Sequence, residues 1–522
     1  MENNDYYLNI SRYSDLEEKK ERIVYRLLEM FPGFLSWTIL LLALGISYFF
    51  PFLAAGLIIA FVFYWFLRTI YFLFYLMNGF QIMKKNEKRD WLKALESLPQ
   101  EGYSISLPHW SEIYHLVIIP TYKEPERILK NTLSSIANNN YPAEKMIVVL
   151  AFEERGGQES QRIAASMAEE FQGKFFKFLI TFHPANLPGE IAGKSSNEAW
   201  GTRMAKERVI DLLRIPYQNI ILTSLDSDTI IYPQYFTCLT HSYLTAKSPT
   251  RTSFQPVPLY INNIWEATPI SRVFAFSSTF WHTINQERSE KLITFSSHSM
   301  SFQALVDINF KQTNVVSEDS RVFWQCFLKF DGDYRVVPLY YPVSMDANVA
   351  PSFIQTAINV YKQTRRWAYG AENIPYFLFG FRKNKKIPLS KKIIFGFEVI
   401  EGQLTWATAP ILIYFLGWLP VFFGQAEFGD AVFLHNLPII LSRVLTLSML
   451  SLIVLIYLSI LLLPPRPPRY GRSKFLILII QWFLVPLTMI FFSALPALEA
   501  QTRLMLGKYM GFWPTPKFRK ND

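Results

Sequence analysis

The longest feature of the hydrophobic pattern runs from Glu29 to Arg68, with no charged residue between them. A membrane helix needs about 20 apolar residues, so this stretch is too long for one crossing and predicts a tight hairpin of two. Pro51, in "FFPFLAAG", falls where the turn is needed. The second helix is expected to pass Arg68, whose stem lets the guanidinium snorkel, and to end near Met77. Three more apolar runs come late, at 404–423, about 438–463 and 475–498. A polar segment precedes the first run, which is too long for a signal peptide, so no cleavable leader is expected.

From Tyr114 the pattern changes to short apolar runs alternating with helical stretches. "YHLVIIP" reads as a buried strand. "EPERILKNTLSSIANN" reads as an amphipathic helix with Ile128, Leu129, Leu133 and Ile136 on one face. "KMIVVLAF", "FFKFLITF" and "NIILTSLDSDT" read as further strands, with helices between them. Such alternation predicts an α/β domain with a mostly parallel, Rossmann-like sheet inserted between transmembrane helices. Ligands of such sheets bind beyond the carboxyl ends of the strands, where "PTYKE", "AFEERGG" and "LDSDT" fall.

Loop charge orients the chain. "PPRPPRYGRSK" is basic and reads as cytoplasmic, as does the amino terminus with Lys19, Lys20, Arg22 and Arg26. "GQAEFGDAVFLHN" has acids and no Lys or Arg, and reads as external. The expected plan is a cytoplasmic segment 1–32, a membrane hairpin 33–77, a cytoplasmic domain with interface helices 78–395, membrane helices 396–498 and a basic tail 499–522, in a multi-pass plasma (inner) membrane protein. One conflict follows. Five crossings would leave the basic tail "GKYMGFWPTPKFRKND" outside, so either the last run, broken by Pro486 and Pro496, does not cross simply or the rule fails there.

Composition narrows the partners. Half the residues are hydrophobic and 16% aromatic, which suits a membrane protein carrying a soluble part. The net charge of +10 is compatible with nucleic acid, anionic lipid or a phosphorylated substrate. Nucleic acid is set aside, because the cations sit beside apolar segments and no nucleic-acid motif is present. Cys238 and Cys326 lack CxxC spacing, so neither a disulfide framework nor a zinc site is expected. No P-loop and no GxGxxG occurs.

Several short stretches carry chemistry. Asp226 and Asp228 follow a strand and could bind a hard divalent cation that also holds phosphate oxygens, although Asp is common in turns. Glu318 and Asp319 could supply a general base or merely cap a helix. Gly193, Lys194 and Asn197 open a helix, a place that favours an anion. In "VYKQTRRWAYG", Arg365 and Arg366 precede Trp367 and could clamp a diphosphate or hold lipid headgroups.

The order of these stretches, PTYxE, GKxxNxA, DxD, an ED pair and QxxRW between membrane spans, resembles the membrane-integrated family-2 glycosyltransferases, which include cellulose, hyaluronan and chitin synthases and ceramide glucosyltransferases. The resemblance runs from about Val117 to Gly370. It implies a GT-A-type nucleotide-sugar-binding domain and a Mg2+ or Mn2+ cofactor. It further implies that Thr121, Tyr122 and Glu124 meet base and ribose, with Lys194 and Asn197 near the nucleotide or diphosphate. Asp228 would ligate the metal, with Asp226 beside the sugar-nucleotide and as a second metal candidate. Asp319 would be the base. Gln363, Arg366 and Trp367 would line the acceptor site and hold the leaving diphosphate, Arg365 assisting or facing lipid. The chain departs from the pattern at "VVLAFEERGG", where Glu153, or else Glu154, replaces the usual Asp, and at "ITFSSHSMSF", where Ser297 and His298 stand in a small-residue loop. His298 could bond an acceptor sugar or be a satisfied buried histidine.

The implied reaction is an inverting transfer from a nucleotide-diphosphate sugar, a UDP-sugar first, to a growing polysaccharide. The alternatives are transfer of one sugar to a membrane lipid and, last, a catalytically inactive scaffold. The donor sugar and any accessory subunit are not legible in the sequence.

Overall fold

The computed structural model describes residues 5–424, 432–471 and 473–519. The acidic loop read as external, 424–436, falls largely outside the described residues. The amino-terminal hairpin forms as two long helices, Lys19–Phe49 and Pro51–Lys88, with Pro51 opening the second. Proline lacks an N–H, and the first helical turn needs none. Arg68 does not snorkel: its guanidinium forms an ion pair with Glu401. A charge at membrane depth is stabilised best by a partner charge.

The α/β domain holds an eight-stranded sheet, β1 Tyr114–Pro120, β2 Met146–Glu153, β3 Lys177–His183, β4 Ile220–Ser224, β5 Ile230–Ile231, β6 Thr252–Tyr260, β7 Ser299–Ser301 and β8 Arg335–Met345, in the order β3-β2-β1-β4-β7-β6-β8-β5. The half β3-β2-β1-β4 is parallel, as the strand–helix alternation predicts. The other half is mixed, because β7 runs antiparallel to both β4 and β6, and β5 antiparallel to β8. Alternate residues of the central strands feed opposite faces. Ile118, Val149 and Leu222 join one hydrophobic core and Val117, Val148 and Ile221 the other. That explains why these strands read as unbroken apolar runs. Ile128, Leu129, Leu133 and Ile136 are buried, as expected for the face of the helix Glu126–Ala137.

Strand direction decides where side chains gather. β6 is parallel to β4 and β8 to β6, so the carboxyl ends of β1, β2, β4, β6 and β8 share one edge of the sheet. β7 runs the other way, so its amino end, preceded by Ser296–His298, meets that same edge.

Around this edge lie helices Pro269–Gln286 and Phe353–Ala368, then the apolar helices. Four runs are long and apolar enough to cross a membrane, Lys19–Phe49, Pro51–Lys88, Asn436–Leu462 and Ser473–Met505, and Leu389–Tyr414 with Leu416–Phe423 makes a fifth candidate bent by 44°. The run Ser473–Met505 is anchored to the α/β domain at both ends. Before it, Trp265 donates to the Pro464 carbonyl (3.1 Å) and Arg469 pairs with Glu266 (2.7 Å). After it, Lys517 reaches Asp228 (2.6 Å).

Candidate active site

The end of β4 delivers Asp226 and Asp228, and the helix Glu318–Lys329 opens with Glu318 and Asp319. Between them stands Lys194, first residue of the helix Lys194–Ala205, with its Nζ 2.7 Å from both Asp226 and Asp319 and 3.5 Å from Glu318. Burial works against the ammonium charge, yet Asp226 and Asp319 outweigh it and hold Lys194 well above the ordinary lysine range. In return, and against the effect of burial, Lys194 and Lys517 hold Asp226 low, and Lys194 and Lys311 hold Asp319 low. Glu318 goes the other way: burial and the adjacent Asp319 push it up to about 8. The ED pair therefore presents one ionised and one protonated carboxyl at neutral pH.

A further buried layer supports this pair. Lys311 pairs with Glu198, donates to Ser224 (3.3 Å) and lies 3.7 Å from Asp319. Glu372, just beyond the Arg-Trp motif, accepts from the backbone N–H of Val316 (2.9 Å) and Ser317 (2.8 Å). Buried Arg321 donates to Asn373 (2.7 Å) and to the Glu372 carbonyl (3.1 Å). These bonds tie the Asp319 turn to the end of the helix Phe353–Ala368, which carries Gln363, Arg366 and Trp367.

Arg366 reaches the same edge: its guanidinium lies over Phe512, which packs against Gly193, the residue before Lys194. Trp367 packs one face on Phe274 (5.5 Å, 21°) and lies 6.2 Å from Tyr260. Gln363 meets Asn348 at 3.5 Å. Arg365 turns away from this edge and pairs with Glu499 at 2.6 Å. His298 donates from Nδ1 to the Phe295 carbonyl (2.9 Å), while its Nε2 is buried without a hydrogen-bond partner. Burial and Lys311 push it down to about 3, so it is neutral.

The strand ends that were expected to meet a nucleotide are close at hand. Thr121 donates from Oγ1 (2.7 Å) and Tyr122 from its backbone to Glu124, which thereby closes its own turn. Asn197 donates to the Ala151 carbonyl (2.7 Å), and its Oδ1 is buried and unpartnered. Glu153 is gripped by Arg155 through two hydrogen bonds, and that guanidinium lies 4.1 Å above the Tyr122 ring. Glu154 instead accepts from the Ala185 backbone (3.1 Å).

The basic tail enters the site. Phe512 lies under Arg366 (4.8 Å) and Trp513 under Lys362 (5.5 Å). A Cβ on Gly193 would meet Phe512 at 2.6 Å, so only glycine admits the tail there. Lys517 reaches Asp228 Oδ2, and Arg519 pairs with Asp346 (2.7 Å) at the end of β8. Asp346 also donates its backbone N–H to Asp228 (3.0 Å), and burial and Asp228 push its carboxyl up. The signal for these residues was only the basic tail and its awkward position in the topology.

A divalent cation fits Asp228. Its Oδ1 is buried and has no hydrogen-bond partner. Among the described residues no three His, Cys, Asp or Glu side chains form a protein-only metal site. A cation here would therefore complete its shell with phosphate and water oxygens, as hard ions do at nucleotide sites, and Lys517 would have to yield.

No protein-family model and no curated protein matches the chain. Among solved structures, the chain is similar to a mannosyltransferase from Pyrobaculum calidifontis in complex with GDP-Man and Mn2+, at 14% identity and a TM-score of 0.40, over 82% of this chain and 99% of that one. It is also similar to residues 1–349 of TarS from S. aureus, at 10% identity and a TM-score of 0.30, over 64% of this chain and 90% of that one. A GalNAc-T7 structure with UDP, GalNAc and Mn2+ follows at 9% identity and 0.32, over 55% and 57%. At these scores the functional reading rests on the chain's own side chains.

Proposed function

We propose that this protein is an inverting glycosyltransferase that moves a sugar from a nucleotide-diphosphate sugar to a growing polysaccharide at the membrane. The observation that carries the reading is the gathering of Asp226, Asp228, Asp319 and Arg366 at one sheet edge, around Lys194 and the tail. An ionised Asp319 takes the proton of the acceptor hydroxyl as that oxygen bonds to the anomeric carbon and the bond to the diphosphate breaks. Arg366 and Lys194 face the negative charge that develops, where fixed cations lower a barrier most. Mg2+ or Mn2+ at Asp228 would add Lewis-acid neutralisation of the same diphosphate. Thr121, Tyr122 and Glu153 hold the nucleoside end, and Trp367 offers apolar ring surface to a sugar. Asp226 supports the sugar, and the buried Nε2 of His298 accepts from a donor or acceptor hydroxyl.

We further propose four crossings. The amino-terminal hairpin supplies two, the bent pair one and Asn436–Leu462 one. Ser473–Met505 stays on the domain's side, since both its flanks bond to the domain. That resolves the charge conflict and keeps the basic tail with the catalytic domain, on the cytoplasmic side. The test is a screen of UDP- and GDP-sugars with purified protein in detergent and Mn2+, with product mass measured. A ladder of masses supports the polysaccharide reading, a single added sugar on lipid supports the alternative, and neither hydrolysis nor transfer with any donor removes the proposal.

A further inference from the structure

A groove of about 580 Å3 lies between the helices Lys19–Phe49, Phe353–Ala368 and Leu495–Met505, outside the cleft described above. Its floor is apolar, with Leu495 and Leu498. Its rim is basic, with Arg503 and Lys508. Glu499, the acid of the lining, is already shared: Arg365 Nη1 (2.6 Å) and Arg503 Nε (2.7 Å) donate to one of its oxygens and Tyr361 (2.9 Å) to the other. One carboxylate is thus shared by two guanidiniums, and Lys508 adds a further cation to the lining, leaving the wall with surplus positive charge. Trp37 marks the membrane interface on the opposite wall, donating to Thr502 (2.8 Å). Arg503 lies eight residues beyond Leu495 on one helix, so the cations stand about 12 Å above the deepest leucine.

We propose that this groove binds one phospholipid with an anionic headgroup, its phosphate at Arg503 and Lys508 and an acyl chain along Leu495 and Leu498. Neither half of the groove suits a different occupant. Free phosphate has no use for the leucines, and a zwitterionic lipid answers the surplus charge poorly. The site has a consequence for the cleft. Lys508 is four residues before Phe512, which covers Arg366, so a headgroup here sits at the root of the tail and within about 14 Å of chain from the site.

The test is native mass spectrometry of the full chain in detergent, after exchange into phosphatidylglycerol or phosphatidylcholine and washing. The wild type retains one phosphatidylglycerol and no phosphatidylcholine. The double variant Arg503→Gln/Lys508→Gln loses it. Leu495→Trp, which fills the floor and leaves the ion pairs intact, loses it as well, so loss in both cannot come from disturbing Glu499. Unchanged retention in both variants, equal retention of phosphatidylcholine, or displacement of the lipid by inorganic phosphate overturns the proposal.

Discussion

Of the lysines that neutralise the acids of the cleft, Lys194 and Lys517 are held in different ways. Lys194 is the first residue of a helix whose Ser195, Ser196, Asn197 and Glu198 are buried. Its position is fixed by the core. Lys517 sits on the segment after Gly507, which has no regular secondary structure and is held by aromatic–cation contacts and a few polar bonds. A cation built into the core belongs to the machinery. A cation on a tether occupies the place of a ligand and can leave it. The deep pocket around Lys194 and the outer pocket at Asp228 should therefore respond in opposite ways to loss of their lysine.

The largest effect is expected at the fixed cation. Lys194→Met removes the cation between Asp226 and Asp319 and leaves only Lys517 near the one and Lys311 near the other, and breaking a buried ion pair costs about 3–5 kcal/mol. Turnover should fall on the order of 100-fold and the Tm should drop; unchanged turnover would show that the two lysines are equivalent bystanders. The adjacent arginines sharpen the contrast next. Arg366→Lys should lower kcat by on the order of 100-fold, the scale for losing a fixed donor to developing charge. Arg365→Lys, whose side chain pairs with Glu499 instead, should stay within a few-fold. Equal losses would place both guanidiniums in the cleft.

Lys517→Met should act in the other direction. Removing a tethered competitor raises the fraction of molecules ready for the metal, so the Mn2+ concentration for half-maximal activity should fall several-fold. A rise would make Lys517 part of the substrate site instead of a stand-in for the metal. The smallest effect concerns Glu318. Burial and Asp319 raise its folded pKa from 4.5 to about 8, so between those values the folded chain holds a proton that the unfolded chain has lost. Its contribution to stability is complete below about pH 4.5 and is lost as pH rises toward 8. Glu318→Gln should flatten the fall in Tm across that window.

Much of the architecture was written in local pattern. The parallel half of the sheet announced itself because strands buried on both faces are continuous apolar runs, and the helix face from Ile128 to Ile136 is amphipathic at helical spacing. The motif acids were legible because they terminate elements, and chain order alone suggested their meeting. The mixed half of the sheet was not legible. β7 is three residues long and β5 two, too short for a period to register. Lys311, Glu372 and Arg321 were missed because single charged residues carry no periodic signal and their burial is a tertiary fact. Asp346 and Lys517 were missed for a related reason, since nothing local ties a tail to a strand end nearly three hundred residues earlier. The pairing of Glu153 with Arg155 shows how a departure from a familiar turn can be answered two residues away.

The central claim is that Asp319 acts on the acceptor while other groups hold the donor. It is tested most directly by measuring, on the same preparations, transfer from the nucleotide sugar identified in the screen and affinity for the matching nucleoside diphosphate with Mn2+, in wild type and Asp319→Asn. The account predicts that transfer falls by on the order of 100-fold or more while affinity stays within a few-fold. Full transfer in the variant would contradict it.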